Sequence, residues 1–166
     1  MRTIHDIHGG IHPPERKALS RPGELGTAPI PAVLVLPLRQ HLGVPALPVV
    51  NVGDHVLGGQ TIAEAQGVMS VPVHAPTSGT VAAIEARPIA HASGLQDRCI
   101  VIETDGADDW LSFTGIADWR GLDATALLAR VRAAGIAGMG GAGFPTAVKL
   151  SPGPARSIET LLLNGT

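Results

Sequence analysis

Two stretches of this chain follow one plan, and that plan leaves no room for long helices. The first is Val52-Gly53-Asp54-His55-Val56-Leu57-Gly58-Gly59-Gln60-Thr61-Ile62-Ala63-Glu64-Ala65; the second is Val73-His74-Ala75-Pro76-Thr77-Ser78-Gly79-Thr80-Val81-Ala82-Ala83-Ile84. Each opens on a turn signal and continues in short β-prone pieces, so the two read as loosely related halves of one small β unit. Val33-Leu34-Val35-Leu36, bounded by prolines, adds a strand before them, and Arg98-Cys99-Ile100-Val101-Ile102-Glu103 adds one after. The β unit therefore spans residues 32–104.

The core of such a unit must be built from small aliphatics. Apolar residues make up 45% of the 166, but only 2% are aromatic and Tyr is absent. The 21 Gly and 14 Pro agree with many turns and short elements. With a net charge of -2 there is no basic footprint for nucleic acid, and bases would find few rings to stack on. The single cysteine, Cys99, excludes an internal disulfide framework and a cluster held by four cysteines of this chain. Its place in a strand suits a small buried hydrophobe better than a reactive thiol. Neither a signal-peptide core nor a run of about 18 apolar residues is present, so no transmembrane helix is expected.

Residues 1–31 read as an extended lead-in, because Pro13, Pro14, Pro22, Pro29 and Pro31 exclude a long helix. His5, His8 and His12 lie close together there; solvent-exposed or structural histidines and a metal site remain alternatives, the latter needing further ligands. Residues 105–122 read as a polar linker. It carries Trp110, Phe113 and Trp119, three of the chain's four aromatics, which are expected to pin it to a neighbouring surface.

The clearest helix covers 123–134. Asp123 is a good N-cap, Leu127, Leu128 and Val131 share a face, and Gly135 suits the C′ position with Ile136 after it. Next comes Gly138-Met139-Gly140-Gly141-Ala142-Gly143-Phe144-Pro145-Thr146. Four glycines in six positions let backbone N–H groups approach a ligand closely. Pro145 suits the first turn of a short helix through Lys149 and Leu150, whose N-terminus and lysine could serve a phosphate. The loop follows a helix, not a strand, and lacks the Gly-Lys-Ser/Thr ending of a phosphate-binding Walker loop. A tight helix–helix connection is the plainer alternative. Ser157–Leu163 reads as a buried strand.

The Val-Gly-Asp-x-Val-x-x-Gly-Gln pattern and the later Ala-Pro-x-Ser-Gly-x-Val resemble the biotinyl/lipoyl type of β-hammerhead. Carriers of that type hold a modified lysine at a hairpin tip, in Glu-Ala-Met-Lys. Here the tip reads Glu64-Ala65-Gln66-Gly67, and the chain's two lysines are Lys17 and Lys149. The fold can stand while the carrier chemistry cannot, which leaves a structural or docking module.

Gly-Gly-Ala-Gly-Phe-Pro-Thr followed by Lys149 resembles the flavin- and nicotinamide-binding loop of the flavoprotein subunit of respiratory complex I. It is similar again to RnfC (RsxC), the electron-input subunit of the Rnf ion-translocating complex. His8-Gly9-Gly10-Ile11-His12-Pro13-Pro14-Glu15-Arg16-Lys17, Leu36-Pro37-Leu38-Arg39-Gln40-His41-Leu42-Gly43 and His74–Val81 resemble RnfC specifically. The resemblance covers essentially the whole chain in order. It implies an α+β protein: a mainly β barrel-sandwich hybrid, then the start of a Rossmann-like FMN/NADH-binding α/β domain over 123–166.

The resemblance further implies a peripheral subunit on the cytoplasmic side of the bacterial inner membrane, without a membrane span of its own. It would dock with other Rnf subunits in a complex that passes electrons between NADH and ferredoxin. Gly138, Gly140, Gly141, Gly143 and Phe144 would line an FMN and NAD(H) site, Lys149 would meet the FMN phosphate, and Asn164 would touch the flavin. The family's two four-iron four-sulfur clusters belong to sequence beyond Thr166. The expectation is therefore a truncated or partial subunit, inactive alone and weak in FMN binding. A docking module without a cofactor of its own is the competing reading; a nucleotide-phosphate enzyme of another family would leave the N-terminal signature to coincidence.

Overall fold

A computed structural model describes residues 8–9, 13–19, 21, 23–140, 142–151, 153, 159 and 160. Most of the strand expected over Ser157–Leu163 and two of the three N-terminal histidines lie outside the described residues; Glu159 and Thr160, which are described, are not in a strand.

Among the described residues, seven strands form two small sheets. They are β1 (Val33–Pro37), β2 (Leu47–Pro48), β3 (His55–Val56), β4 (Thr61–Glu64), β5 (Val73–His74), β6 (Gly79–Pro88) and β7 (Gln96–Thr104). One sheet has the order β1-β7-β6-β3 and the other β2-β4-β5, with every pairing antiparallel. The two related stretches of sequence meet as expected: β3 pairs with β6, and β4 with β5. The turn at Asn51–Asp54 shows how the join is made. Asn51 N–H donates to the Asp54 carboxylate at 2.7 Å, Gly53 N–H donates to Val81 O, and Val81 N–H donates back to Asp54 O.

Both sheets contribute to one core. Val56, Val81, Ile100 and Ile102 come from the larger sheet, and Ile62, Ala63 and Val73 from the smaller. Strand alternation sends Ile100 and Ile102 into this core, while Cys99 and Val101 occupy the opposite face of β7 and are buried there as well. Each fully buried Ile or Val contributes about 1.5–3 kcal/mol through its removal from water. Cys99 is fully buried, its thiol pushed up from the usual value chiefly by burial, as suits a small core hydrophobe.

The linker lies on the β unit through a polar clasp and two rings. Ser78 Oγ donates to Asp105 at 2.7 Å and accepts from Asp109 N–H, and Thr77 Oγ1 donates to Asp108 at 2.7 Å. Asp105 is held down to about 2 by the Ser78 hydroxyl first, then by Ala107 N–H and His55. Gly58 is crossed by the Trp110 ring, and a Cβ there would come within 2.6 Å of it; Phe113 covers Gly59 in the same way. Trp119 is half-exposed, with the Arg120 guanidinium 4.4 Å above its ring.

Two helices follow: α1 (Ala124–Ala133) and α2 (Thr146–Lys149). Asp123 caps α1 by accepting from Ala126 N–H at 2.7 Å, and Gly135 leaves it at φ +68°. Pro145 is the N-cap of α2, one position earlier than a first-turn proline. The architecture is α+β with the strands dominant. Among the described residues no helix is long and apolar enough to cross a membrane.

Candidate functional site

The glycine loop is closed at its base like a hairpin. Gly138 N–H donates to Phe144 O at 3.0 Å, and Thr146 N–H donates to Ile136 O at 3.0 Å. Between these ties the loop rests against the β unit. Leu42 N–H donates to Gly143 O at 3.1 Å, and Gly143 adopts φ +61° to allow it. A Cβ on Gly143 would lie 3.1 Å from Gln40 O and 3.2 Å from the His41 Cα. Gly140 faces open space, and Gly138 has only ordinary contacts around it.

His41 builds the seat for this contact. It is buried, and Val71 N–H donates to its Nε2 at 3.1 Å. Nε2 is therefore the acceptor, and Nδ1, 3.1 Å from Leu42 O, carries the proton. Both ring nitrogens are satisfied, so a neutral His41 acts as a post between the 41–42 turn and the strand entry at 71.

The helix is tied to the β unit too. Arg132 of α1 donates to Gly67 O at the hairpin tip between β4 and β5. Gly135 sits beside Pro72 O and the His74 ring. The tip that carries a lysine in carrier proteins is thus met by an arginine from α1.

Between loop and β unit lies an open groove of about 940 Å³, with Gly138, Met139, Ala142 and Gly143 on one side and Arg39, His41, Pro72 and His91 on the other. Of the seven residues singled out in the sequence, Gly138 and Gly143 line this groove. Gly140, Phe144 and Lys149 are described but do not; Lys149 is exposed at the end of α2. Gly141 and Asn164 fall outside the described residues. The one-turn α2 offers little helix dipole, so the charge available to a phosphate near it is Lys149 itself. The loop suits a flavin phosphate on chemistry: unobstructed glycine backbone at Gly138 and Gly140, and a lysine close in sequence. Among the described residues no group of three His, Cys, Asp or Glu could hold a metal.

Sequence reasoning misses the β-unit wall. Arg39, His41 and His91 belong to loops without periodicity, and only the folded register brings them opposite the glycines. The string Leu36–Gly43 carries a family likeness, but nothing in it marks His41 as buried.

A two-sheet β sandwich lacking a carrier lysine, followed by a helix and a glycine-rich loop, defines a module of barrel-sandwich type. Residues 5–107 match the family described as the RnfC barrel sandwich hybrid domain, and residues 131–166 match the Nuo51 FMN-binding domain. The chain belongs to the RnfC family. It is 51% identical over 161 residues to the C subunit of the ion-translocating oxidoreductase complex of Serratia proteamaculans, covering 97% of this chain and 23% of the relative. The Pseudomonas aeruginosa counterpart is 49% identical over 165 residues, covering 99% and 21% respectively. The Pectobacterium carotovorum counterpart is 49% identical over 162 residues, covering 98% and 21%. The chain thus spans between a fifth and a quarter of the length of these relatives.

Proposed function

We propose that this chain supplies the β seat and one wall of an FMN and NAD(H) site in an electron-input subunit. The subunit would pass electrons between NADH and ferredoxin as part of an ion-translocating complex, bound to its other subunits on the cytoplasmic face of the membrane. One observation carries this reading: the glycine loop is held in an open shape by Leu42 N–H, with Gly138 and Gly140 presenting bare backbone. Names of the relatives and the match to an FMN-binding domain support the same reading. FMN, when bound, would supply a carrier that takes a hydride and releases single electrons. The protein's part is to hold it: Gly138, Gly140, Gly141, Gly143 and Phe144 at the rings, Lys149 at the phosphate, and Asn164 at the flavin edge. The units behind this assignment are a lead-in over 1–31, the β module over 32–104, a linker over 105–122, and the flavin-binding start over 123–166. Two four-iron four-sulfur clusters would lie elsewhere in the whole subunit.

The test is a chimera in which this chain replaces the matching segment of the Serratia protein. FMN content of the purified chimera and NADH-driven electron transfer in membranes are measured. Retained FMN, lost on Lys149→Ala, is the expected result; a folded chimera whose FMN content ignores Lys149 and the loop glycines refutes it. That refuting outcome is the one expected of a docking module without its own cofactor. The separation of exposed Lys149 from the groove favours this second reading.

A further inference from the structure

The larger sheet ends on β1, which pairs with β7 on one side and with no strand on the other among the described residues. Thr104 N–H donates to Ala32 O at 2.9 Å, and Leu38 N–H donates to Arg98 O at 3.0 Å. In an antiparallel ladder, bonded and non-bonded pairs alternate, and residues 32, 34, 36 and 38 fall on the bonded step of an unbroken register. Leu34 and Leu36 therefore bond β7. Val33, Val35 and Pro37 turn their backbone groups to the open edge.

Both ends of that edge are closed. Pro31 and Pro37 have no N–H to offer. The Pro31 carbonyl accepts from the Thr104 hydroxyl at 2.7 Å, and the Pro37 carbonyl accepts from the Gln40 amide at 3.1 Å. What remains open is the N–H and C=O of Val33 and of Val35, which have no partner among the described residues. Their side chains are 49% and 41% exposed. No charged side chain occurs from Ile30 to Leu38.

An open, uncharged, apolar edge is a template for another strand. The proline ends decide which strand fits. A longer foreign strand would run past the open window. Its N–H groups would then face carbonyls already taken, and its C=O groups would face prolines, leaving orphans at both ends. A second copy of β1, laid antiparallel about a two-fold axis at Leu34, meets the edge differently. Val33 lies opposite Val35 of the second copy, and Pro31 lies opposite Pro37. All four open groups on each copy pair, and proline faces proline with nothing left over. Two uncharged edges also meet without like charges opposed.

We propose that two copies of this chain associate through the β1 edge, joining two four-stranded sheets into one. The contact is short, so the dimer is weak and forms as concentration rises.

The test follows the full 166-residue chain through a dilution series by sedimentation velocity and amide exchange. A monomer at low concentration and a dimer at high concentration are expected. The Val33 and Val35 amides should gain protection as the dimer forms, while Leu34 and Leu36, bonded to β7, stay protected throughout. Val35→Pro removes one N–H from each copy, hence two of the four bonds between them, and breaks no bond to β7. It should weaken the dimer at least about fivefold. Val35→Lys keeps the backbone donor and puts a charge on the edge, so it should weaken the dimer as well; Val35→Thr should not. Thermal melts like that of the parent show that the variants fold. A chain monomeric throughout the series, or a dimer indifferent to both Val35→Pro and Val35→Lys, overturns the proposal. So do Val33 and Val35 amides protected at every dilution, since another segment of the same chain would then cover the edge.

Discussion

Replacing Gly143 by Ala separates two views of the glycine loop. If the four glycines only lend flexibility, alanine at Gly143 and at Gly140 should behave alike. The structure makes them different. Gly140 has open space where a Cβ would go. Gly143 sits at φ +61°, where an L-residue costs about 1–2 kcal/mol. Its Cβ would also press on backbone atoms of Gln40 and His41 at 3.1 and 3.2 Å. Crowding of this kind costs about 1–3 kcal/mol. Lower entropy of the unfolded chain returns about 0.4–1 kcal/mol to either variant. The net for Gly143→Ala is a loss of about 1–5 kcal/mol, local to the contact between loop and β module. Hydrogen exchange reads this at Leu42, whose N–H donates to Gly143 O. Its exchange should speed up by at least about fivefold, or lose protection altogether, while Ile100 and Ile102 in β7 stay protected. Gly140→Ala should leave Leu42 unchanged. Equal effects of the two substitutions, or a matching loss of protection in β7 with Gly143→Ala, would refute the idea of a loop seated by one contact.

Removing the clasp hydroxyl with Ser78→Ala leaves Asp109 N–H without its acceptor and Asp105 without its strongest donor. A loss of about 1–3 kcal/mol is expected in urea unfolding, with a red shift of Trp110 emission in a Trp119→Phe background; an unshifted spectrum would show that the linker is held some other way. Asp105 is depressed from 3.8 to about 2, so its stabilising effect is complete above pH 3.8 and fades as pH falls through 2. Stability should therefore decline between about pH 4 and 2, and Asp105→Asn should flatten that slope. Ile62→Ala empties a fully buried site between the sheets and should cost about 2–5 kcal/mol by thermal melting; a cost near zero would mean that the two sheets do not share a core.

The parts legible in the sequence are those governed by local rules. Val52–Ala65 and Val73–Ile84 announce two β halves because alternation and turn residues act over a few positions. Asp123 and Gly135 mark the ends of α1 for the same reason. What sequence leaves open depends on register across long separations. Thr77 and Ser78 carry no mark of holding Asp105, Asp108 and Asp109 until β6 is laid beside β7. The pairing of the Gly138–Gly143 loop with the turn at Gln40–Leu42 joins segments about a hundred residues apart, and a helix propensity or a hydrophobic pattern says nothing about it. Trp110 and Phe113 are readable as pins, because large rings need a surface and Gly58 and Gly59 offer one. Trp119 carries the Arg120 guanidinium over its ring, a contact between sequence neighbours.

The missing lysine and the seated loop meet at one end of the β module. A carrier needs its hairpin tip free, so that a tethered group can travel between sites. Here no amine stands at Glu64-Ala65-Gln66-Gly67, and the tip's Gly67 carbonyl accepts from Arg132. The adjoining Pro72 and His74 pack on Gly135 at the end of α1. The neighbouring turn at Leu42 holds Gly143. These ties meet α1 and the loop at separate points, which restrains both translation and rotation of the helix–loop unit against the β module. The tip carries no lysine, and these contacts set the loop's position against the β module. The loop's shape is therefore a property of both units together. A lipoyl-type module with a mobile tip, substituted here, would keep the sandwich core but leave the glycine loop without its seat.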